Sequence, residues 1–285
     1  MLKYYNFNLK KYNAYRLSSV CAKAIFPENE EEIIQIYRNN PDKKIILLGN
    51  GNNIILSKEY YDALFIILNN CFDRVEINGT EIIAQSGCTM LHLSELALEN
   101  SLSGFEVFYD IPSSVGGAVF MNAGASGEEI KNLVVKVRYF DLDDFQIKEI
   151  TRVEIGFEYR NSFFQKNNNK LVLKTWFKLS EGKPEIIKAK MDDIKQKRWA
   201  KQPREFPNCG SVFKRPSERF VGPMIDELGL KGFTIGGAQI SQKHSGFIVN
   251  INNATGKDIL SIIKKVQKQV KKKYGVDLEV EQRII

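Results

Sequence analysis

Hydrophobic and polar residues recur along the chain with two different periods, and the changes of period divide it into elements. Residues 28–39 combine Glu, Ile and Tyr at helical spacing, and the apolar run KIILLG after them is typical of a buried strand. The loop GNGNN follows, and then a second apolar run at 63–68. A helix that precedes a strand, a loop and another strand indicates an α/β arrangement.

The middle of the chain is predicted to be rich in strands. Residues 73–87 alternate apolar and polar side chains around Asn78-Gly79, which predicts a hairpin with its turn there. A helix is expected at about 90–100. Between 133 and 179, the segments LVVKVRYFDL, QIKEITRVEI and KLVLKTWFKL each predict a strand, and the polar NSFFQKNNNK interrupts them.

Two charged segments have the apolar periodicity of amphipathic helices. The first covers 183–201 and ends just before Gln202-Pro203, so we expect it to connect two domains. Its expected apolar set is Ile186, Ile187, Met191, Ile194 and Trp199. The second contains KKVQKQVKKK at 264–273, with its apolar set at Ile259, Ile262, Ile263, Val266 and Val270. Between them we expect a short helix at 221–229 and strands in IGGAQIS and GFIVNI, and DLEVEQRII predicts a terminal strand.

Charge adds one question to this picture. The 285 residues carry a net charge of +7, and six lysines lie in the second amphipathic segment. Such a cluster could bind nucleic acid, but its spacing favours the solvated face of a helix, and we expect no nucleic-acid partner.

Composition excludes several classes of protein. No run approaches the roughly 20 apolar residues of a membrane span, and the N-terminal segment has no secretory pattern, so we expect no membrane partner. The four cysteines form no CxxC pair, which favours reduced thiols and a cytoplasmic protein. The two histidines, His92 and His244, are far apart in the sequence, so we expect no metal site.

Two glycine-rich loops could approach phosphate groups. The first is Gly49-Asn50-Gly51-Asn52-Asn53, and the second is IPSSVGGAVFMNAGASG at 111–127. Glycine permits positive φ and the close approach of a ligand, and successive backbone amides can form a nest for an anion. An ordinary turn is the alternative for each loop. Neither loop matches the GxGxxG or GxxxxGK[ST] nucleotide motifs.

Ser211, in the stretch NCGSVFKRP, is a candidate proton donor. The chain has no GxSxG elbow and no evident base to activate a nucleophile, so a simple turn serine is the alternative. A serine hydroxyl can still protonate a very basic enolate, because the difference between the two pKa values is then small. Lys201, Lys214 and Arg215 flank this stretch and could either bind a diphosphate or face solvent.

Two other candidates could act on a carboxylate or an enolate. Arg160, in FEYRNS, has a planar fork of donors, and its alternative is a surface arginine at the end of a strand. Glu281 lies in the predicted terminal strand and is either a general acid or a salt-bridged edge residue. Alternation places Gln282 on the face opposite Glu281.

Taken together and in order, six segments resemble those of a known enzyme family. LLGNGNNIIL resembles LGxGSNxLv, the loop at 111–127 resembles IPGxVGGAxxMNAGAYG, and FEYRNSFF resembles FxYRxSxF. NCGSVFKRP resembles SAGSVFKRP, LGLKGFTIGGAQISQKHSGFIVN resembles a glycine-rich segment, and LEVEQRII resembles LEPEVRIIG. The family is UDP-N-acetylenolpyruvoylglucosamine reductase, called MurB, and the match extends over residues 45–285.

The resemblance implies an α+β fold with a two-part FAD-binding region of the vanillyl-alcohol-oxidase type and a smaller α/β substrate-binding domain. The first FAD-binding lobe would cover 1–72, joined by the terminal strand 277–285, and the second lobe would cover 73–182. The substrate-binding domain would cover 199–276. The implied FAD contacts are Gly49, Asn50, Gly51, Asn52, Asn53, Ser113, Ser114, Gly116, Gly117, Asn122, Gly124 and Gly127.

The resemblance also implies a reaction. NADPH would reduce FAD, which would reduce UDP-N-acetylglucosamine enolpyruvate to UDP-N-acetylmuramate in the cytoplasm. This step belongs to peptidoglycan synthesis, and thus to cell wall biogenesis, cell shape and cell division. Ser211 would be the proton donor, with Arg160 and Glu281 stabilising the enolate. The implied substrate contacts are Lys201, Lys214, Arg215 and Glu227, and we expect a monomer or a weak dimer.

The chain departs from the family pattern at several positions. Ser18-Ser19 stand where the family has a Gly-Gly pair, Asn52 replaces a serine, and Cys209 replaces an alanine. No insertion is found between 211 and 230, which resembles the shorter, second type of this enzyme. An FAD-linked oxidase of a small alcohol or sugar is one alternative, and a degenerate binding protein without activity is the other.

Overall fold

The computed structural model describes residues 1–216 and 219–285. The α-helices of this part are α1 Glu30–Arg38, α2 Met90–Glu99, α3 Val115–Met121, α4 Arg152–Ile155, α5 Phe163–Lys166, α6 Pro184–Lys201, α7 Val221–Glu227 and α8 Gly256–Tyr274. Short 3-10 helices cover Lys10–Tyr12, Glu106–Phe108 and Ile130–Asn132. None of the helices within the described ranges has the length and apolar character to cross a membrane.

The strands of the described residues reach their greatest lengths before the last third of the chain. They are β1 Leu2–Asn8, β2 Val20–Phe26, β3 Ile45–Leu48, β4 Ile54–Ile55, β5 Tyr60–Ile67, β6 Val75–Asn78, β7 Glu81–Gln85, β8 Leu102–Ser103, β9 Gly124–Ala125, β10 Glu128–Glu129, β11 Val134–Asp141, β12 Gln146–Thr151, β13 Lys170–Lys178, β14 Ser180–Glu181, β15 Thr234–Ile235, β16 Ala238–Ile240, β17 Ile248–Asn250 and β18 Arg283–Ile284.

The chain divides into two compact units, each built from several segments. The first unit consists of Met1–Tyr4, Lys23–Asn50 and Ala63–Lys197. The second unit consists of Tyr5–Ala22, Gly51–Asp62 and Arg198–Ile285. The division therefore falls inside the first glycine-rich loop, between Asn50 and Gly51.

The first unit contains most of a four-stranded sheet with the order β1-β2-β5-β3, in which β3 and β5 are parallel. Helix α1 begins after Asn29, whose side chain accepts a hydrogen bond from the Glu32 amide at 2.9 Å. It buries Ile33 and Ile36 in a core with the side chains of β5. The predicted helix at 28–39 and the two predicted strands are thus confirmed.

A five-stranded sheet with the order β12-β11-β13-β7-β6 forms the other layer of the first unit, and its strand pairs are antiparallel. The predicted hairpin is present, with Gly79 at φ +58° between β6 and β7. Helices α2 and α3 share one core with this sheet, in which Leu93, Val115 and Phe177 are fully buried. This packing places the second glycine-rich loop, which begins α3, on the sheet.

The second unit contains a three-stranded sheet with the order β15-β16-β17 and the long helix α8. All five predicted apolar residues of α8 are buried, and its lysines lie on the other side of the helix, as the spacing predicts. Strand β18 pairs in parallel with β4, so the chain end is held beside the segment that follows the first glycine-rich loop.

Three expectations about elements need correction. The segment QIKEITRVEI is not one strand, because β12 stops at Thr151 and the capping box of Thr151 with Glu154 starts the short helix α4. In α6, Ile187 and Met191 are buried, whereas Ile186 is 61% exposed and Trp199 is 50% exposed. The predicted terminal strand is short, since β18 covers only Arg283–Ile284 and Val280 forms an isolated bridge with Phe213.

Candidate active site

The first glycine-rich loop connects β3 to β4. In the ranges that the structure describes, no acceptor is found for the backbone N–H groups of residues 49–53. Gly51 has φ +66°, and a Cβ on it would lie 2.0 Å from the carbonyl oxygen of Tyr12. Only glycine fits this position, and the loop offers successive free donors, as an anion nest requires.

The second glycine-rich loop has a different structure from the one expected. Ser114 caps α3, and the amides of the first turn already have acceptors: Val115 donates to Cys88 O at 2.8 Å and Gly116 to Ser86 O at 2.9 Å. The Gly117 amide donates to Ser114 Oγ at 3.3 Å. Residues 115–117 therefore do not form the nest of free amides that the composition suggested.

The glycines of this second loop instead allow close packing. A Cβ on Gly116 would lie 2.9 Å from the Cβ of Ser86. A Cβ on Gly49 would lie 2.4 Å from Ser114 Oγ, so the two glycine-rich loops touch at these two residues. The structure thus brings together the two loops for which the sequence predicted cofactor contacts, and small residues line the place where they meet.

Asn122 lies inside the first unit and connects the second loop to Arg160. It is fully buried at φ +45°, and its side-chain amide donates to Glu158 O at 2.9 Å and accepts from the Lys131 amide at 3.3 Å. Both ends of the Asn122 amide are therefore occupied by the backbone. Gly127 has φ +89°, and no atom in the described part of the chain lies within 4 Å of its Cβ position.

Arg160 is held in an unusual conformation by these neighbours. Its φ is +51°, in the left-handed region that residues other than glycine rarely adopt. Its guanidinium donates to Gly124 O at 2.9 Å and to Asn122 O at 3.4 Å, and its centre lies 5.2 Å from the ring of Tyr159. Strained backbone that the surroundings fix in this way is common in functional sites.

Ser211 lies in a turn whose shape depends on the residue before it. Gly210 has φ +75°, and its amide donates to Asn208 Oδ1 at 3.0 Å. The turn continues with Val212, whose amide donates to Gly246 O at 3.0 Å. Ser211 itself is exposed, and its hydroxyl has no hydrogen-bond partner among residues 1–216 and 219–285.

Glu281 lies beside this turn. Its amide donates to Val212 O at 2.8 Å, and its carbonyl accepts from Asn53 Nδ2 at 3.2 Å. The structure thus brings Ser211, Glu281 and one residue of the first glycine-rich loop into one place in the second unit. Arg160, the third predicted catalytic residue, belongs to the first unit.

Cys209 does not expose a reactive thiol beside Ser211. It is 4% exposed, and its thiol donates to Ile54 O at 3.3 Å. Burial raises the pKa of the Cys209 thiol to about 12, although hydrogen bonds to the backbone partly oppose the shift. The residue therefore stays protonated and serves as a small apolar side chain in the position where alanine was expected.

Comparison with known proteins decides the family. Residues 22–149 match the profile of an FAD binding domain, and residues 202–285 match the C-terminal domain of UDP-N-acetylenolpyruvoylglucosamine reductase. The reductase of that name from Limosilactobacillus reuteri is 45% identical over 262 residues, which is 91% of this chain and 87% of the relative. The one from Francisella tularensis is 42% identical over 280 residues, or 98% of each chain.

The chain belongs to the UDP-N-acetylenolpyruvoylglucosamine reductase family. A crystal structure of the reductase from Thermus caldophilus, called MurB, agrees with this chain at a TM-score of 0.84 and 29% identity, and covers 99% of this chain and 98% of that one. The predicted family, the α+β class with its FAD-binding region, and the prediction of an oxidoreductase are confirmed.

The four residues expected to bind substrate differ from one another in exposure and in the groups that they contact. Lys201, at the end of α6, and Arg215 are both exposed, and the Arg215 guanidinium lies 3.8 Å from the ring centre of Phe220. Lys214 is engaged in an ion pair of 2.6 Å with Glu279. The Glu227 carboxylate accepts from the hydroxyl of Tyr274 at 2.7 Å.

The N-terminal departure from the family pattern lies in the second unit. Ser19 is buried, and its hydroxyl donates to the carbonyl oxygen of Lys58 at 2.8 Å, while Ser18 is exposed. The buried serine thus has a hydrogen bond that glycine could not make.

Sequence reasoning missed two buried polar residues of the second unit that lie behind the Ser211 turn. Gln282 is 3% exposed and Tyr15 is fully buried, and the Tyr15 hydroxyl donates to Gln282 Oε1 at 2.9 Å. Burial raises the pKa of Tyr15 well above its usual value, so the hydroxyl keeps its proton. The only signal in the sequence was a glutamine in an otherwise apolar alternation.

Proposed function

We propose that this chain reduces the enolpyruvyl group of UDP-N-acetylglucosamine enolpyruvate to give UDP-N-acetylmuramate, a cytoplasmic step of peptidoglycan synthesis. Membership of the reductase family and the FAD-binding domain at 22–149 support this function. The observation that carries the proposal is the Ser211 hydroxyl, which is exposed in a fixed turn directly before the carbonyl that binds the Glu281 amide.

The two glycine-rich loops fit an FAD molecule in different ways. The free amides of residues 49–53 suit its diphosphate, because successive N–H groups stabilise negative charge. Because Gly49 has no side chain, it can lie directly against Ser114 Oγ, and this contact holds the two glycine-rich loops side by side. When bound, FAD would take a hydride from NADPH and transfer it to the methylene carbon of the enolpyruvyl group.

The side chains of this protein would then complete the reduction. Addition of the hydride leaves an enolate on the substrate, with its negative charge spread towards the carboxylate. The Ser211 hydroxyl donates its proton to the carbon beside the reduced one, which restores a saturated lactyl ether. Arg160 stabilises the carboxylate and the developing enolate through its donor fork, and Glu281 assists as an acid or through a water molecule.

The remaining assignments follow from the same proposal. Lys201 contacts the substrate near its diphosphate, and Arg215 and Glu227 make further substrate contacts. Lys214 can contact the substrate only by exchanging its partner Glu279. The lobes at 1–72 with 277–285 and at 73–182 hold FAD, and 199–276 binds substrate. The protein acts as a monomer or a weak dimer.

The test separates the two half-reactions. Under anaerobic conditions, NADPH should bleach the flavin absorbance of the purified protein, and UDP-N-acetylglucosamine enolpyruvate should restore it. Ser211→Ala should keep the bleaching rate and slow the recovery by roughly 10²- to 10⁴-fold, the usual contribution of a general acid. Ser261→Ala, which removes a hydroxyl that donates to Lys257 O on α8, is the matched control and should change neither rate.

Other outcomes would contradict the proposal in distinct ways. A flavin that bleaches and recovers only with air would indicate the oxidase alternative. Equal rates for the wild type and Ser211→Ala would remove the serine from the mechanism. Absence of flavin binding after addition of FAD would indicate a binding protein without this activity.

A further inference from the structure

One side chain holds three consecutive carbonyl groups of the Ser211 turn. Gln282 Nε2 lies 3.2 Å from Cys209 O, 3.3 Å from Gly210 O and 3.3 Å from Ser211 O. The glutamine is 3% exposed, so water competes little for these bonds. A side-chain amide has two N–H groups, and here they are shared among the three acceptors.

The orientation of this amide is fixed from both ends. Carbonyl groups only accept hydrogen bonds, so the nitrogen of Gln282 must face the turn and its oxygen must face away. The oxygen accepts from the Tyr15 hydroxyl at 2.9 Å. Tyr15 is in turn held through its own carbonyl, which accepts from Asn250 Nδ2 at 2.8 Å.

These hydrogen bonds determine the side of the turn on which the Ser211 side chain lies. The carbonyls of residues 209–211 all point towards Gln282, and the left-handed Gly210 turns the chain between them. The Ser211 side chain is therefore left on the exposed side of the turn. Without the glutamine, three carbonyls that now converge would repel one another, and the turn could rotate these peptides towards solvent.

We propose that Gln282, oriented by Tyr15, is a positioning residue that aims the Ser211 hydroxyl at the substrate carbon that takes up the proton. This inference rests on the proposed function and deepens it. Gln282 stands where the family segment LEPEVRIIG has valine, so the device belongs to this chain rather than to the motif. It acts through the serine and touches no reacting atom itself.

A double-mutant cycle tests the inference. We expect Gln282→Leu to leave flavin reduction by NADPH unchanged and to slow reoxidation by the enolpyruvyl substrate by about 10- to 100-fold, as expected for a misplaced catalytic group. In the Ser211→Ala background, Gln282→Leu should slow the same step by less than about twofold, because the hydroxyl that it positions is gone. The solvent deuterium isotope effect on reoxidation should increase only when Ser211 is present.

A matched control and a milder variant complete the design. Gln267→Leu removes another glutamine side chain that donates to the same terminal segment, to Leu278 O at 2.9 Å, and should change neither half-reaction. If Gln282→Leu does not fold, Tyr15→Phe removes only the orienting hydroxyl. It should slow reoxidation about three- to tenfold, the effect of one hydrogen bond, and again only when Ser211 is present.

The outcomes separate this inference from the function on which it rests. If Ser211→Ala reoxidises at the normal rate, the proposed function of the serine is wrong. If Ser211→Ala is slow but Gln282→Leu or Tyr15→Phe slows both backgrounds equally, or slows flavin reduction as much, the positioning role is overturned and the serine mechanism stands. Loss of rate confined to reoxidation and to the Ser211 background supports the inference.

Discussion

Gly210 controls the position of Ser211 through its backbone alone. Its φ is +75°, and no atom of residues 1–216 or 219–285 lies within 4 Å of the place where a Cβ would be. Gly210→Ala should therefore reduce stability by roughly 1–2 kcal/mol through the left-handed conformation and not through a clash. Any relaxation of that strain moves Ser211, so we also expect slower reoxidation of the flavin by substrate, measured by stopped flow alongside urea unfolding.

Gly79 provides the matched control for this substitution. It has φ +58° in the hairpin between β6 and β7, and its Cβ position is equally open. Gly79→Ala should lower the free energy of unfolding by a similar amount and leave both half-reactions at the wild-type rate. A Gly210→Ala variant that is destabilised but fully active would show that the turn tolerates adjustment without moving the serine.

At the level of single residues, the sequence predicted those side chains that belong to a recognisable local stretch. Ser211, Arg160 and Glu281 were candidates because each stands in a short motif whose chemistry can be argued. The link between Tyr15 and Gln282 joins positions 267 residues apart and leaves no local pattern. Gly116 and Gly117 were predicted as nest residues, but a helix cap competes for their amides, which composition alone cannot reveal.

At the level of elements, apolar periodicity predicted the long helices and strands well, but it missed the point at which strand β12 ends and helix α4 begins. The strand predicted through QIKEITRVEI ends early because Thr151 and Glu154 satisfy the first amides of a helix. The signal T-x-x-E is present in the sequence, and the alternation of apolar residues concealed it. In α6, the buried residues are four apart, at Ile187 and Met191, and Ile186 lies off that stripe.

The last residue of strand β11, which pairs with both β12 and β13, is a buried carboxylate. Asp141 is 3% exposed and accepts hydrogen bonds from the ammonium groups of Lys148, at 2.8 Å, and Lys170. Burial by itself would raise the pKa of Asp141, but the two lysines outweigh it and hold the pKa well below its usual range. The charged carboxylate therefore stabilises the fold above the pKa of the unfolded chain, which is about 4.

This shift predicts a specific loss of stability in acid. As the pH falls below about 4, the unfolded state takes up the proton before the folded state does, so the contribution of Asp141 decreases towards the lower folded pKa. Asp141→Asn should lower the melting temperature at pH 7 by several degrees and give a shallower decline between pH 5 and pH 3. Asp192→Asn, which breaks an exposed pair with Lys188 on α6, should change the melting temperature little. If the melting temperatures of the wild type and Asp141→Asn fell equally steeply between pH 5 and pH 3, the stabilising role of the Asp141 carboxylate would be contradicted.

At the level of the whole molecule, the net charge of +7 favours the binding of negatively charged ligands. FAD, NADPH and a UDP-linked substrate all carry phosphates, so a positive protein attracts each of them from solution, most strongly at low salt. The lysines of α8 contribute to this field from the solvated face of a helix whose other face is buried.

Binding of FAD should stabilise the folded chain in proportion to its affinity. For flavin-free protein, FAD at 100 times its dissociation constant adds about 2.7 kcal/mol to the free energy of unfolding. In a protein of this size that corresponds to a rise in melting temperature of roughly 5–10 °C, measurable by calorimetry or by tryptophan fluorescence.

Gly49→Ala should lose most of the rise, because its Cβ would lie 2.4 Å from Ser114 Oγ where the two glycine-rich loops meet. Gly79→Ala lowers the starting temperature but should keep the full rise, since the hairpin turn is distant in sequence from both loops. An equal rise in Gly49→Ala and Gly79→Ala would show that FAD is held without the first loop, and a wild type that does not respond to FAD would contradict the cofactor assignment altogether.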